Sequence, residues 1–211
     1  MDVSEATVFV VDDDPAVRTA LSMLLKSMKL RVEAFPCASD FLEANDPQRA
    51  GCVLADVRMP GMSGLEMQRQ MRSRGDRRPV IIISGHGDVP MVVEAMKFGA
   101  VDFLEKPFRD QQLWECVQKA LQLDERNRQQ QASQEVITAR LAKLKPGEKD
   151  VLRWLLAGKS NRDIATELSL SVRTIEVRRA KVMQKMEART LADLIRLSIQ
   201  SDLLKDGGRP T

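Results

Sequence analysis

The sequence is poor in the residues that build metal centres and disulfide frameworks. Its 211 residues include three cysteines and one histidine, and no two cysteines form a Cys-x-x-Cys pair. Disulfide scaffolds, zinc sites and histidine-rich metal centres are therefore excluded, as is any catalytic triad that lacks His86. We expect Cys37, Cys52 and Cys116 to be reduced and mostly buried.

Long apolar runs are also missing. No run approaches the roughly 20 residues that cross a bilayer, and residues 1–11 lack the basic start and apolar core of a signal peptide. We therefore expect a cytoplasmic protein with no membrane partner. Hydrophobic residues make up 43% and charged residues 30% of the chain, which excludes wholesale disorder. The length suits two domains of roughly 100 residues each.

Charge is distributed unevenly along the chain. Residues 1–121 contain 15 basic and 18 acidic residues, a net charge of −3, whereas the remainder contains 18 and 12, a net charge of +6. A basic second half indicates an anionic partner for that half. Residues 122–142 are dominated by Gln, Arg and Glu without Gly or Pro, and we predict a solvated helical linker there.

The first half alternates short apolar runs with amphipathic stretches of helical length. This alternation predicts a doubly wound α/β domain with a five-stranded parallel sheet over residues 1–121. Residues 8–11 and 80–83 are apolar at every position, as central strands covered on both faces should be. The predicted strands are 7–11, 31–34, 52–55, 80–84 and 101–104, and the predicted helices are 15–28, 39–44, 64–74, 89–98 and 109–121.

After Leu144 the pattern changes to helices separated by short polar turns. Four helices of about 10 to 16 residues fit residues 143–211. The second and third cross over the turn at 169–171, which predicts a helix-turn-helix whose recognition helix covers about 171–186. A plain four-helix bundle with a solvated basic helix is the alternative. The predicted N-caps are Ser160, Ser171 and Thr190.

Polar side chains follow four of the predicted strands. Three aspartates, residues 12–14, follow the first strand, Asp56 the third, Ser84 the fourth and Lys106 the fifth. The carboxyl ends of parallel strands meet at one edge of such a sheet, where ligands bind. Clustered carboxylates require a cation, and hard oxygen ligands suit Mg²⁺, the predicted cofactor. Beside Mg²⁺ and a lysine, Asp56 can act as a nucleophile toward a phosphoryl group.

Two other interpretations of these residues are weaker. Residues 12–14 could cap the next helix while Lys106 lies on the surface, but capping does not explain Asp56 and the Val-Arg-Met-Pro-Gly-Met-Ser-Gly loop after it. An aspartate-based phosphohydrolase would need a second carboxylate two residues after its nucleophile, and that position holds Arg58. We therefore prefer a phosphoryl-accepting site.

Residues 5–121 resemble the receiver domain of response regulators. The acidic pair, the Asp-x-x-x-Pro-Gly loop, the small hydroxyl residue and the Lys-Pro pair of that family are all present in order. The resemblance implies that Asp56 is the phosphoacceptor. It also implies that Asp13, Asp56 and the backbone carbonyl of Arg58 bind Mg²⁺ directly, while Asp12 acts through a water.

The same resemblance assigns the remaining residues of the site. Ser84 and Lys106 would hold the phosphoryl oxygens, and the Lys106–Pro107 peptide bond would be cis. Ser84 and Phe103 would form the switch, in which Ser84 moves toward the phosphoryl group while Phe103 rotates inward and reshapes the face of the fourth helix, fifth strand and fifth helix. Phe103 also suits a core position. The family gives His86 no catalytic role, so we expect it in a loop or at a helix start.

The recognition helix carries the candidate DNA contacts. Basic side chains can neutralise phosphates, an exposed Val or Ala can touch a thymine methyl, and Glu can accept a hydrogen bond from cytosine. Residues 141–199 resemble the LuxR/FixJ-type DNA-binding domain, notably at 146–152, 158–165 and 173–177. Arg178 departs from that family, which usually has a histidine or another aromatic ring there. The candidate contacts are Arg173, Thr174, Glu176, Val177, Arg178, Arg179, Ala180 and Lys181.

The two resemblances together predict a two-component response regulator rather than an enzyme. A sensor histidine kinase would supply the phosphoryl group, and the chain would then bind promoter DNA as a homodimer. RNA polymerase is a further candidate partner. Phosphorylation-independent DNA binding, with the receiver serving only for dimerisation, is the alternative, and the intact receiver site weighs against it. The family commonly pairs on DNA through the last helix, which here carries Leu191, Leu194, Ile195 and Leu197.

Overall fold

The apolar runs of the first half form one sheet. Its strands are β1 (Thr7–Val11), β2 (Arg31–Phe35), β3 (Gly51–Asp56), β4 (Val80–Ser84) and β5 (Asp102–Glu105). The computed structural model describes residues 6–44, 46–85 and 89–200, in which the strand order is β2-β1-β3-β4-β5. Neighbouring strands are parallel throughout, and Val10 of β1 lies between Ala34 of β2 and Leu54 of β3.

Helices cover both faces of this sheet. They are α1 (Pro15–Ser27), α2 (Ala38–Ala44), α3 (Gly64–Ser73), α4 (Val89–Lys97) and α5 (Asp110–Ala142). Side chains alternate along a strand, so Phe9 packs on the face that Phe41 of α2 covers. Val10 packs on the opposite face, against Leu25 of α1 and Leu113 of α5. The predicted fold class is confirmed for this domain, and the three cysteines are free, two of them buried.

Helix α5 continues beyond the predicted helix of residues 109–121. It runs unbroken to Ala142, so the linker expected at residues 122–142 belongs to the same helix. The chain divides into two compact units between Arg128 and Gln129. The side chains of residues 129–136 are all exposed, as expected of a solvated helical segment.

An aspartate and an arginine attach the extension of α5 to the first unit. Asp124 Oδ2 accepts hydrogen bonds from Gly51 N at 2.9 Å and from Arg128 Nε at 2.7 Å. Arg128 also donates to the carbonyl oxygens of Gln48, at 2.7 Å, and Arg49. These bonds secure the chain that leads into β3, and they explain why the helix does not end near residue 121.

The second unit is built on helices packed around their own core. The described helices after α5 are α6 (Pro146–Leu156), α7 (Asn161–Glu167), α8 (Val172–Met186) and α9 (Leu191–Gln200). Val151 of α6, Ile164 of α7 and Val182 of α8 are fully buried together, with Leu194 of α9 and Ile137 near the end of α5. The predicted helical domain is confirmed. No helix among the described residues is long and apolar enough to cross a membrane.

A buried glutamate joins the start of α6 to the end of α8. Glu148 is 4% exposed, and its Oε2 accepts hydrogen bonds from Lys185 Nζ at 2.6 Å and from Lys145 N at 2.9 Å. Lys185 Nζ also donates to Lys143 O at 3.0 Å. The hydrogen bond from Lys185, followed by that from the Lys145 amide, lowers the pKa of Glu148. The ionised carboxylate therefore stabilises the folded unit.

We predict that Glu148→Gln lowers the free energy of unfolding of the second unit by about 1–3 kcal/mol at pH 7. The pKa of Glu148 is lower in the folded chain than in the unfolded chain, where it is about 4.3. The carboxylate therefore stabilises the folded unit above about pH 4.3, and this stabilisation is lost as the pH falls through the pKa of the folded chain. The difference is measured by urea unfolding at pH 7 and pH 3. Unfolding is monitored by the fluorescence of Trp154, and every protein carries Trp114→Phe so that Trp154 is the sole tryptophan.

The matched control is Glu167→Gln, since Glu167 is an exposed glutamate on α7. We expect that substitution to change the free energy of unfolding by less than about 0.5 kcal/mol at either pH. A loss for Glu148→Gln that is as large at pH 3 as at pH 7 would contradict the assigned role of the carboxylate.

Candidate functional site

Three charged side chains meet at the carboxyl edge of the sheet. Lys106, just after β5, donates from Nζ to Asp12 Oδ2 at 2.9 Å and to Asp56 Oδ1 at 2.7 Å. Asp12 follows β1 and Asp56 ends β3, so the parallel sheet alone brings the three together. Asp12 is 2% and Asp56 9% exposed. The structure thus places three of the predicted site residues in one cluster.

Backbone groups hold both carboxylates in place. Asp12 Oδ1 accepts from Asp14 N at 2.9 Å, and Asp56 Oδ2 accepts from Arg58 N at 2.7 Å. Gly64 allows α3 to begin directly against β3, because a Cβ at that position would lie 2.3 Å from the carbonyl oxygen of Asp56. The loop after Asp56 therefore folds back closely around the cluster.

Burial and the ion pairs shift two pKa values in the cluster. Burial raises the pKa of Asp12, and the hydrogen bond from Lys106 offsets this rise only in part. Burial by itself lowers the pKa of Lys106, but the hydrogen bonds to Asp56 and Asp12 outweigh it, and the pKa is raised. The ammonium is therefore held in its charged form beside the two carboxyl groups.

Ser84 and Phe103 lie on the strands next to this cluster. The carbonyl of Ser84 accepts a hydrogen bond from Lys106 N at 2.7 Å, and its Oγ donates to Met91 Sδ of α4 at 3.9 Å. Phe103 is partly buried and packs against the same core as Met91. The Lys106–Pro107 peptide bond is cis, as the resemblance implied. The sequence did not predict Met91 as a partner of Ser84, although only seven residues separate the two.

The three aspartates after β1, residues 12–14, have different surroundings. Asp14 caps α1, since its Oδ1 accepts from Ala16 N at 2.8 Å. The capping interpretation is therefore right for Asp14 and wrong for Asp12, whose carboxylate faces Lys106. Asp13 is exposed beside them, and its metal-binding role stays a prediction. His86 lies outside the described residues, so our expectation for it is not tested.

The oxygen donors of the cluster fit a hard divalent cation. Among residues 6–44, 46–85 and 89–200, no three His, Cys, Asp or Glu side chains stand ready as a metal site. Mg²⁺, however, is usually held through one or two carboxylates with water completing its coordination. Asp12 and Asp56 present carboxylate oxygens to one shared cation, Lys106, and the Arg58 carbonyl and Asp13 are further oxygen donors nearby in the chain. The donor set is therefore suited to Mg²⁺.

The second candidate site is the helix-turn-helix formed by α7 and α8. Ser160 and Ser171 are their N-caps, as predicted. Ile175 and Val182 of α8 are buried, so the opposite face of this helix points outward. Val177 on that face is 48% exposed. The predicted contacts that lie exposed are Arg173, Glu176, Val177, Ala180 and Lys181.

Two predicted DNA contacts bind other helices of the domain. Arg178 Nη1 donates to Gly147 O of α6 at 3.4 Å, and Arg179 Nη1 donates to Asn161 Oδ1 of α7 at 2.9 Å. Both arginines are half-buried. Thr174 is also half-buried, and its role at DNA, like that of the arginines, stays a prediction.

Helix α9 carries apolar residues both in the core and on its outer side. Leu194 is fully buried in the core of the domain, and pairing through this helix stays a prediction. Leu191 and Leu197 of the same helix are partly buried against that core. Ile195 and Ile199 are 37% and 61% exposed and are the apolar residues that this helix presents to the outside.

Both domains of the chain match known protein families. The response regulator receiver domain matches residues 8–118, and the luxR family of bacterial regulatory proteins matches residues 142–198. The chain therefore belongs to the two-component response regulators that join a receiver domain to a LuxR-type DNA-binding domain and regulate transcription.

Within that class the chain is similar to FixJ. Transcriptional regulatory protein FixJ of Bradyrhizobium diazoefficiens is 46% identical over 199 residues, which cover 94% of this chain and 97% of that protein. FixJ of Azorhizobium caulinodans is 46% identical over 206 residues, 97% of each chain. The structure of the response regulator StyR has 43% identity and a TM-score of 0.83, covering 93% of this chain and 99% of that one. The predicted resemblance is confirmed.

We predict that Lys106→Met destabilises the first unit when divalent cations are absent. The substitution removes the ammonium from two nearly buried carboxyl groups, which should lower the free energy of unfolding by about 1–3 kcal/mol. The loss is measured by urea unfolding in the presence of a chelator. Unfolding is monitored by the fluorescence of Trp114, and every protein carries Trp154→Phe so that Trp114 is the sole tryptophan.

Lys119→Met is the matched control for that measurement. The Lys119 side chain is 62% exposed, and its 3.2 Å pair with Asp102 should contribute less than about 1 kcal/mol. An equal loss for the two lysine variants would show that the ammonium of Lys106 has no special role in neutralising the cluster.

Proposed function

We propose that Asp56 accepts a phosphoryl group from a sensor histidine kinase and that phosphorylation promotes promoter binding by a dimer. The supporting observation is the Lys106 ammonium, which lies 2.7 Å from Asp56 Oδ1 and also binds Asp12. A lysine and an oxygen-donor set around one aspartate suit phosphoryl transfer to that aspartate. Arg58 stands where a phosphohydrolase would need its second carboxylate, so transfer to Asp56 rather than turnover is the chemistry that these residues support.

The chemistry at Asp56 follows from its surroundings. An oxygen of the carboxylate forms a bond to phosphorus while the phosphorus–nitrogen bond of the phosphohistidine donor breaks. The Lys106 ammonium lies beside the Asp56 carboxylate and would offset the negative charge that spreads over the phosphoryl oxygens during transfer. Asp12, Asp13, Asp56 and the carbonyl of Arg58 would hold Mg²⁺, which supplies further positive charge when it is bound.

We infer that the effect of phosphorylation reaches the surface of the domain through Ser84. Ser84 contacts Met91, and Met91 and Phe103 pack in one core, so movement of the Ser84 hydroxyl toward a phosphoryl group changes the packing beneath α4. The outer side of α4 carries apolar groups, with Val89 76% and Val93 44% exposed. We assign this face to receiver dimerisation on phosphorylation, since an exposed apolar patch gains free energy by being covered.

The recognition helix supplies the output. Arg173, Glu176, Val177, Ala180 and Lys181 are exposed. In the proposed complex Arg173 and Lys181 neutralise phosphates, while Glu176, Val177 and Ala180 read base edges in the major groove. A homodimer would present two such helices to two half-sites, with Ile195 and Ile199 available for pairing on α9. Because promoter DNA is the partner, we infer that the protein works in the cytoplasm, with RNA polymerase as a further partner.

We predict that the full chain acquires acid-labile phosphate from acetyl phosphate and Mg²⁺ and that Asp56→Asn does not. The amide cannot form the acyl phosphate, so labelling should fall at least about 100-fold, which is measured by mass spectrometry of the intact protein. Asp40→Asn, an exposed aspartate of α2, is the matched control and should be labelled normally. Persistent labelling of the Asp56 variant would disprove the assignment.

We predict that phosphorylation tightens binding to a DNA duplex enriched from a random-sequence library by the full chain. A coupling free energy of the usual size between the phosphorylation site and the DNA-binding site corresponds to a roughly 5- to 150-fold gain in affinity for the duplex. The two forms are compared by fluorescence anisotropy at one stated salt concentration, because such affinities depend steeply on salt. Asp56→Asn should not respond to acetyl phosphate. Equal affinities of the two forms would favour binding that is independent of phosphorylation.

A further inference from the structure

One cation of the recognition helix is directed into the domain. Arg178 follows Val177 in α8, yet Val177 is 48% exposed while Arg178 is half-buried against the first turn of α6. Its Nη1 donates to the carbonyl oxygen of Gly147 at 3.4 Å. The guanidinium group therefore lies between two helices.

Gly147 provides the space that the guanidinium occupies. A Cβ at residue 147 would lie 2.5 Å from Arg178 Nη1 and 2.9 Å from Cζ, closer than non-bonded atoms approach. The three nearest atoms all belong to the Arg178 side chain, so an added methyl group would displace a flexible side chain and not the backbone. Gly147 and Arg178 thus form a matched pair, and Gly147→Ala separates them without disturbing the core.

The next residue of α8 makes an equivalent contact with the other neighbouring helix. Arg179 Nη1 donates to Asn161 Oδ1 at 2.9 Å, at the first residue of α7. Two consecutive arginines therefore bind α8 to α6 and to α7. The exposed side chains of the same turns, Glu176 and Ala180, then project outward at an angle that these contacts constrain.

Charge contributes little to the contact of Arg178 with α6, which depends on packing in the space at Gly147 and on one long hydrogen bond. A positive charge beside the N-terminal turn of a helix gains nothing from the helix dipole, which favours negative charge there. A hydrogen bond of 3.4 Å is also at the long end of the useful range. Its remaining consequence is geometric, since it restricts how α8 sits against α6.

We propose that Arg178 is a positioning residue for DNA recognition. Its guanidinium group, seated in the space left by Gly147, sets the orientation in which α8 presents Glu176 and Val177 to the bases. Arg178 acts through α8 and does not neutralise a phosphate itself. The inference rests on the proposed role of the outer face of α8 as the DNA-reading surface.

The test compares full-length variants on two DNA duplexes, one enriched from a random-sequence library and one with its sequence scrambled. We expect Arg178→Ala to weaken binding to the enriched duplex roughly tenfold and binding to the scrambled duplex less than about twofold. The slope of log affinity against log salt should not change, because no phosphate contact is lost. Arg178→Gln, which keeps a donor without the charge, should restore most of the loss.

Gly147→Ala provides the second arm of the test. It should weaken binding to the enriched duplex about as much as Arg178→Ala, although the arginine is still present. Combining the two substitutions should add no further loss, because both remove one contact. Thermal unfolding should show every variant folded. If Arg178→Ala does not fold, Gly147→Ala alone tests the inference.

Two results would overturn the proposal. A slope reduced by about 0.9, with equal losses on both duplexes, would make Arg178 a phosphate contact. Unchanged affinity of Gly147→Ala would show that the contact between α6 and α8 has no effect on recognition. Arg153→Ala, which removes a 79% exposed cation from α6, is the control and should bind like the parent chain. Enrichment of the same duplex without acetyl phosphate would contradict phosphorylation dependence but leave this comparison intact.

Discussion

The geometry of the carboxyl edge of the sheet depends on one ammonium group between two carboxylates. Lys106 binds Asp12 and Asp56, which would repel each other if they were buried without a cation. The three residues are far apart in the chain and meet only because β1, β3 and β5 end at the same edge of a parallel sheet. The order of the strands, the closeness of α3 to Asp56 and the position of Ser84 all serve to keep this cluster assembled.

Much of the fold and the cluster could be predicted because the signals are local. Strands buried on both faces are apolar along their length, as at residues 80–83, and a polar residue at the carboxyl end of such a strand must lie at the sheet edge. The attachment of α5 through Asp124 and Arg128 could not be predicted, since it depends on the chain before β3. A glutamine-rich helix has no periodic apolar face that would reveal where its attachment ends.

In the second domain, too, the sequence could not predict which way single side chains point. The composition of α8 identified a basic recognition helix, but it could not separate the arginines that face outward from those that bind α6 and α7. Arg173 is exposed, whereas Arg178 and Arg179 reach Gly147 and Asn161. The partners are 31 and 18 residues away, so no spacing within the helix distinguishes them.

The contact between Ser84 and Met91 has a consequence for how readily the receiver can change state. A thioether sulfur is a weak hydrogen-bond acceptor, and the Oγ to Sδ distance is 3.9 Å. Withdrawing the hydroxyl from this partner costs little free energy, whereas a phosphoryl oxygen would be a much stronger, charged acceptor. Under the proposed mechanism, the difference between the thioether and a charged phosphoryl oxygen as acceptors helps to shift the population of receiver conformations.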